Sequence, residues 1–162
     1  MTFVKLSPKQ LREHKGKSFV GITVAFLCHD GKGNLLLSKR SQNARDERGR
    51  WDNGGGGLKH GEAVEAGLRR EVKEEYSVEP ISTEFINYFD VFRTDDDAQP
   101  THWLAMCFAV LVDSSKVKIG EPDMIDELGW FTLDKLPSPM HSQFDVFMNL
   151  HGDNLRQILS RR

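Results

Sequence analysis

The sequence predicts an α/β domain of the α+β kind, with helices packed on a mainly mixed or antiparallel sheet. Short runs rich in Val, Ile, Leu and Phe recur between turn-forming residues, and two longer segments carry apolar residues at helical spacing. Strands and helices follow one another at irregular intervals, which points to a mixed sheet. With 162 residues the chain can build one core and is too short for two. Residues 1–162 are therefore expected to form a single domain, with 1–18 as an N-terminal extension. The role of that extension is open, packing against a partner subunit being one reading.

Phe19 to His29, then Leu35 to Leu37, read as two strands joined by a turn at Asp30-Gly31 and Lys32-Gly33-Asn34. Ser41 to Arg50 is polar and charged, and is expected to be an exposed loop. Trp51 to Gly57 holds four consecutive glycines, and Gly61 to Tyr76 is a helix candidate. Phe85 to Arg93 and Trp103 to Val112 are further strands, separated by the acidic loop Thr94 to Gln99. Trp130 to Leu133 is a short strand. Ser142 to Leu159 is a closing helix on the spacing of Phe144, Phe147, Met148, Leu155, Ile158 and Leu159, weakened in its middle by Gly152 and Asp153.

A formal net charge of −2 offers no broad basic face for a nucleic-acid polymer, while leaving room for a local cationic pocket. Cys28 and Cys107 lie in apolar, strand-like runs and are expected to be buried, reduced thiols. Neither belongs to a Cys/His cluster at zinc spacing. No apolar leader core and no stretch of ~20 apolar residues is present, so no membrane span is expected, and a cytoplasmic monomer or homodimer is the expectation.

On a helix at about 100° per residue, Val64, Leu68, Val72 and Tyr76 form the core-facing stripe. Glu71 and Glu75 fall at its edge, with Glu74 beside them across Gly67. Like charges at i, i+4 cost roughly 0.2–0.5 kcal/mol even when exposed, and partial burial adds desolvation. Arg70 reaches Glu74 at i, i+4 but cannot offset three carboxylates. A hard divalent cation can, since Mg²⁺ is bound by a few carboxylates together with substrate phosphates. Read alone, the acidic run is a solvated face. The adjacent glycines, Gly54 to Gly57, read alone as a flexible turn, but glycine also lets a ligand or metal approach main-chain carbonyls. Together the two segments favour a site.

These residues resemble the signature of the Nudix hydrolases, which include the MutT-like nucleotide hydrolases. Gly56, Glu62, Arg70-Glu71, Val72, Glu74-Glu75 and Val78 stand at that signature's spacing. Ser77 replaces its usual glycine, at about 1 kcal/mol if a left-handed cap is kept, and Gly54 stands where proline commonly occurs. Leu35 to Arg40 looks like the strand preceding the signature, and Glu121 to Pro137 like a late loop and strand. The resemblance implies an α/β/α sandwich around a mixed sheet, and attack of water on a nucleoside diphosphate linked to another moiety.

It further implies that Glu71, Glu74, Glu75 and the Gly55 carbonyl hold Mg²⁺ or Mn²⁺, that Arg70 orients the carboxylates, and that Glu62 and Gly56 are structural. The general base is Glu71 or an acid of the late loop. Among Glu121, Asp123, Asp126 and Glu127 the first candidate is Glu121, a solvated acidic loop being the alternative. Arg40 is a candidate substrate contact or else a surface arginine. Trp51, Phe92 and Trp103 are candidates for stacking on a base or for the core. His60 and His102 are not expected to be ligands of a hard cation. The leading substrate is a small-molecule nucleotide, namely a nucleoside triphosphate, oxidised ones included, cleaved to monophosphate and pyrophosphate. An ADP-ribose or nucleotide-sugar pyrophosphatase and a catalytically silent nucleotide-binding module are the alternatives.

Overall fold

A computed structural model describes residues 6–95 and 97–161. The first five residues of the expected extension, and Asp96 within the expected acidic loop, lie outside the described residues. The apolar run after Val20 forms β1 (Gly21–His29), which turns into β2 (Leu35–Arg40). Asp30 holds that turn by accepting from the amides of Lys32 and Asn34 at 2.8 and 3.1 Å. Two short strands follow, β3 (Trp51–Asp52) and β4 (Gly54–Gly57), then a long antiparallel pair, β5 (Ser82–Thr94) and β6 (Pro100–Leu111), and finally β7 (Ile125–Phe131). The sheet path runs β3-β2-β1-β6-β5, with β4 also paired to β1 and β7 to β2. β1 and β6 are parallel, from Gly21 opposite Trp103 to His29 opposite Leu111, and every other pair is antiparallel. The sheet is therefore mixed.

Helices cover both faces. Successive β1 side chains alternate, so Val24, Phe26 and Cys28 face α2 (Val64–Tyr76), and Leu27 faces α3 (Ser142–Leu159). Leu68, Val72 and Tyr76 of α2 are wholly buried in the first layer, and Tyr76 packs edge-on against Phe26. Phe144, Phe147, Leu155 and Ile158 of α3 join Leu35, Leu37, Phe89 and Cys107 in the second. Each such side chain stabilises the fold by roughly 1.5–3 kcal/mol. The result is the expected α/β/α sandwich. Cys28 and Cys107 are free thiols, both buried, and no helix among the described residues is long and apolar enough to cross a membrane.

Several expectations need correction. Gly54–Gly57 is no flexible turn but a strand, with Gly54 to Gly57 paired against Phe26 to Thr23. The loop 41–50 is irregular but not simply exposed, since Ser41 and Ala44 are buried. α3 passes unbroken through Gly152, because the buried aromatic face outweighs a glycine cost of ~1 kcal/mol. The late strand starts at Ile125 rather than Trp130, being drawn onto β2 as its antiparallel partner. Part of the extension is ordered as α1 (Pro8–His14), started by Pro8 and a reciprocal capping pair between Ser7 and Gln10.

Candidate active site

The site forms where β4 lies under the flank of α2. A Cβ on Gly54 would sit 2.0 Å from the Phe26 ring, and one on Gly56 would sit 2.1 Å from the Glu71 carboxyl carbon. Gly54 thus leaves room for a core ring and Gly56 for a carboxylate. Thr23 on β1 donates its hydroxyl to the Gly56 carbonyl at 2.9 Å, and the Gly55 amide donates to Glu75 at 3.1 Å.

α2 begins without a side-chain cap at Ala63. Glu62 stands just ahead of it, accepting from the Lys59 amide at 2.8 Å and from two nitrogens of Arg70 at 2.7 and 2.8 Å. The forked guanidinium holds Glu62 below the usual carboxylate range, at about 2. Its third nitrogen reaches Glu71 at 2.6 Å and Glu74 at 2.9 Å. Arg70 therefore serves three acids, and Glu75 is not among them. At the other end of α2, Ser77 takes the left-handed conformation, φ 53° and ψ 25°, and its amide caps the Lys73 carbonyl. The carbonyls of Glu75 and Tyr76 accept from the amides of Gly120 and Lys118 at 2.8 and 3.0 Å. This ties the loop carrying Glu121 to the helix and sets its carboxylate beside Glu71 and Glu75.

The electrostatics follow from this crowding. Burial raises the Glu71 carboxyl; Arg70 opposes the rise, while Glu74 and Glu121 add to it. Burial raises Glu75 well above its ordinary range, against the Gly55 amide and with help from Glu71, Glu121 and Asp52. Half-buried acids held this close repel one another when ionised, and a cation that joins them relieves the repulsion. The donors are oxygens, the set a hard divalent ion takes, so the residues fit such an ion. Among the described residues no three His, Cys, Asp or Glu side chains are, as placed, gathered closely enough to hold a metal ion. Glu71 and Glu74 are turned onto Arg70, and Glu75 onto Gly55.

Beside the acids opens a cavity of about 520 Å³, with Gly54–Gly57, Glu75 and Glu121 at one side and Ser38, Arg40, Asp52, His141 and Trp103 among its other walls. Residues 20–149 match the family model for the NUDIX domain. The chain belongs to the Nudix family. Among solved structures it is similar to a MutT NUDIX hydrolase from Burkholderia pseudomallei, with 26% identity and a TM-score of 0.68, over 81% of this chain and 97% of that one. It is likewise similar to a MutT protein from Methanosarcina mazei Go1, with 25% identity and a TM-score of 0.69, over 85% and 94% of the two chains. This Nudix chain is a hydrolase, of the family that acts on nucleoside diphosphate derivatives and generally uses divalent metal ions.

Within the Nudix frame, Glu62, Arg70, Glu71, Glu74, Glu75, Gly55, Gly56 and Glu121 all come together. Arg40 reaches the cavity but is already engaged, by the Asp46 carboxylate at 2.6 Å and carbonyl at 2.9 Å and more loosely by Asp52 at 3.5 Å. Of the three aromatics, Trp51 is core, buried edge-on against Phe131. Phe92 is 70% exposed on the edge strand β5, beside His102 of β6, and does not line the cavity; of the three only Trp103 lines it. His102 pairs with Asp90 at 2.8 Å, and His60 is exposed in the turn before α2. Sequence reasoning missed Asp52. Its carboxyl lines the cavity, with His141 3.9 Å away, and burial raises it to about 7 despite Arg40. A lone acid after Trp51 has no spacing to mark it.

Proposed function

We propose that this chain hydrolyses a nucleoside triphosphate, standard or oxidised, to the monophosphate and pyrophosphate in a reaction dependent on Mg²⁺ or Mn²⁺. The observation that carries the reading is the adjacency of the acid cluster to the 520 Å³ cavity. Phosphates brought to the acids by the cation leave the nucleoside directed into the adjoining half-open, partly polar space. Glu71, Glu74 and Glu75, with the Gly55 carbonyl, would hold the cation. When bound, that ion offsets charge on the phosphate oxygens and acidifies the attacking water.

Arg70 keeps Glu71 and Glu74 in register through its charge-assisted bonds, and Glu62 fixes Arg70 in turn. Glu121 faces the cluster from a separate loop and receives the proton of the attacking water. Arg40, released from Asp46, contacts phosphate.

The test is a panel of standard and oxidised nucleoside triphosphates, ADP-ribose and nucleotide sugars with Mg²⁺ or Mn²⁺, products being identified. Pyrophosphate and monophosphate are expected. AMP with a sugar phosphate would assign the site to ADP-ribose or a nucleotide sugar instead. Glu75→Gln is expected to lose at least about 100-fold in turnover with its circular dichroism unchanged, and near-wild-type turnover in that variant would overturn the assignment.

A further inference from the structure

Trp103 belongs to neither hydrophobic layer of the sandwich, yet its indole is held on bare backbone. A Cβ on Gly16 would lie 2.4 Å from its Nε1, and a Cβ on Gly21 would lie 2.4 Å from its Cε3. Both halves of the ring therefore rest where no side chain fits. Gly21 is its direct partner across the parallel β1–β6 ladder. Gly16 comes from the N-terminal extension, which crosses the start of the β1–β6 pair as a fixed strap. The Gly16 carbonyl accepts from the His102 amide at 2.7 Å and its amide donates to the Phe19 carbonyl at 2.8 Å. Lys15 donates to the Leu58 carbonyl beside the glycine strand, and Lys17 pairs with Asp95 at 2.5 Å. Gly16 has φ +75°, which favours glycine here on backbone grounds as well.

The half-exposed ring lines the large cavity and also a second one of about 380 Å³, whose walls mix Arg12, Lys15 and Lys17 with Glu13, Asp95 and Asp97. A tryptophan kept out of the core, supported by backbone and opening on a cavity with polar walls is placed for a planar ligand. Resting on the proposed nucleotide reading, we infer that Trp103 is the stacking platform for the substrate's nucleobase, and that the strap 15–19 is the positioning element that holds it there.

The probes are the non-hydrolysable α,β-methylene analogues of ATP and GTP, with inorganic tripolyphosphate as the base-free comparison. Binding is measured by calorimetry and by tryptophan fluorescence. Trp103→Leu is expected to weaken the better analogue about tenfold or more, to abolish its fluorescence quench and to leave tripolyphosphate unchanged. Trp103→Phe should recover most of the affinity, and Gly16→Ala should weaken the analogue alone by several-fold. In turnover, KM should rise with kcat nearly constant. Equal affinity of Trp103→Leu and wild type, or equal weakening of analogue and tripolyphosphate, overturns the platform. So does failure of the wild type to bind either analogue. The two readings separate cleanly: metal-dependent nucleotide turnover that is indifferent to Trp103 sinks the platform alone, whereas no nucleotide turnover by the wild type sinks the hydrolysis reading itself.

Discussion

Asp52 sits at the cavity floor with the Arg40 guanidinium 3.5 Å away and Glu47 and Asp46 nearby. Burial raises its carboxyl from the ordinary 3.8 to about 7. The folded protein therefore holds that proton over a range in which the unfolded chain has released it. Between pH 4 and 7 the native state binds more protons, so this group's contribution to stability falls as pH rises through the window and is at its minimum above about pH 7. Asp52→Asn removes the ionisation and should stabilise the protein at pH 8 relative to wild type, on the order of a few kcal/mol. The difference should vanish near pH 4, and urea unfolding at both values checks it. A gain of the same size at both would assign it to packing instead. Ser77 offers a simpler case. Its φ of 53° costs an L-residue what glycine does not pay, so Ser77→Gly should raise stability by about 1 kcal/mol, read as a higher urea midpoint with unchanged slope.

At the level of elements, β4 shows why local pattern reading has a limit. Four glycines carry no hydrophobic period, and nothing in them marks a strand. β1 supplies the ladder, and Phe26 and Glu71 supply the reason for glycine. By contrast β1, β2, α2 and α3 were legible because their apolar residues repeat with the period of the element. The acids of α2 were legible as a cluster for the same reason, a helix turning spacing into a common flank. Arg70's attachment to Glu62, eight residues back, depends on the turn before the helix and was not legible from periodicity. Nor was the pinning of loop 41–50, where Glu47 accepts from the Ser142 amide at 2.8 Å and from Arg93 at 2.9 Å, contacts that span 95 and 46 residues. Two substitutions in β4 should separate stability from activity. Gly54→Ala drives a methyl into the buried Phe26 ring and should cost about 1–3 kcal/mol. Gly56→Ala displaces the half-buried Glu71 carboxylate, so kcat should fall at least about tenfold with a smaller loss in melting temperature. Reversal of that order would mean that Glu71 is held by something other than the space above Gly56.

Across the whole molecule, the sandwich spends two continuous apolar layers on holding an acidic flank against a glycine strand, and the flank is the part in internal conflict. Glu71 and Glu75 both have carboxyls raised by burial and by neighbouring acids, Glu121 among them in each case, so a cation that joins them relieves a cost already present in the fold. Such binding stabilises the native state by RT ln(1 + [L]/Kd), about 2.7 kcal/mol at a hundredfold excess over Kd. For a domain of this size that corresponds to a rise in melting temperature of roughly 5–10 °C. Protons compete for the same oxygens, and raised carboxyls hold them more tightly, so the rise should be smaller at pH 5 than at pH 8. Differential scanning calorimetry with Mg²⁺ or Mn²⁺ against EDTA, at the two pH values, reads this without reference to turnover. Glu75→Gln removes one donor and one repelling charge together, so it should melt higher than wild type in EDTA while losing most of the metal-induced rise. An equal rise in wild type and variant, or one that does not depend on pH, would place the cation elsewhere on the molecule and leave the acid cluster without it.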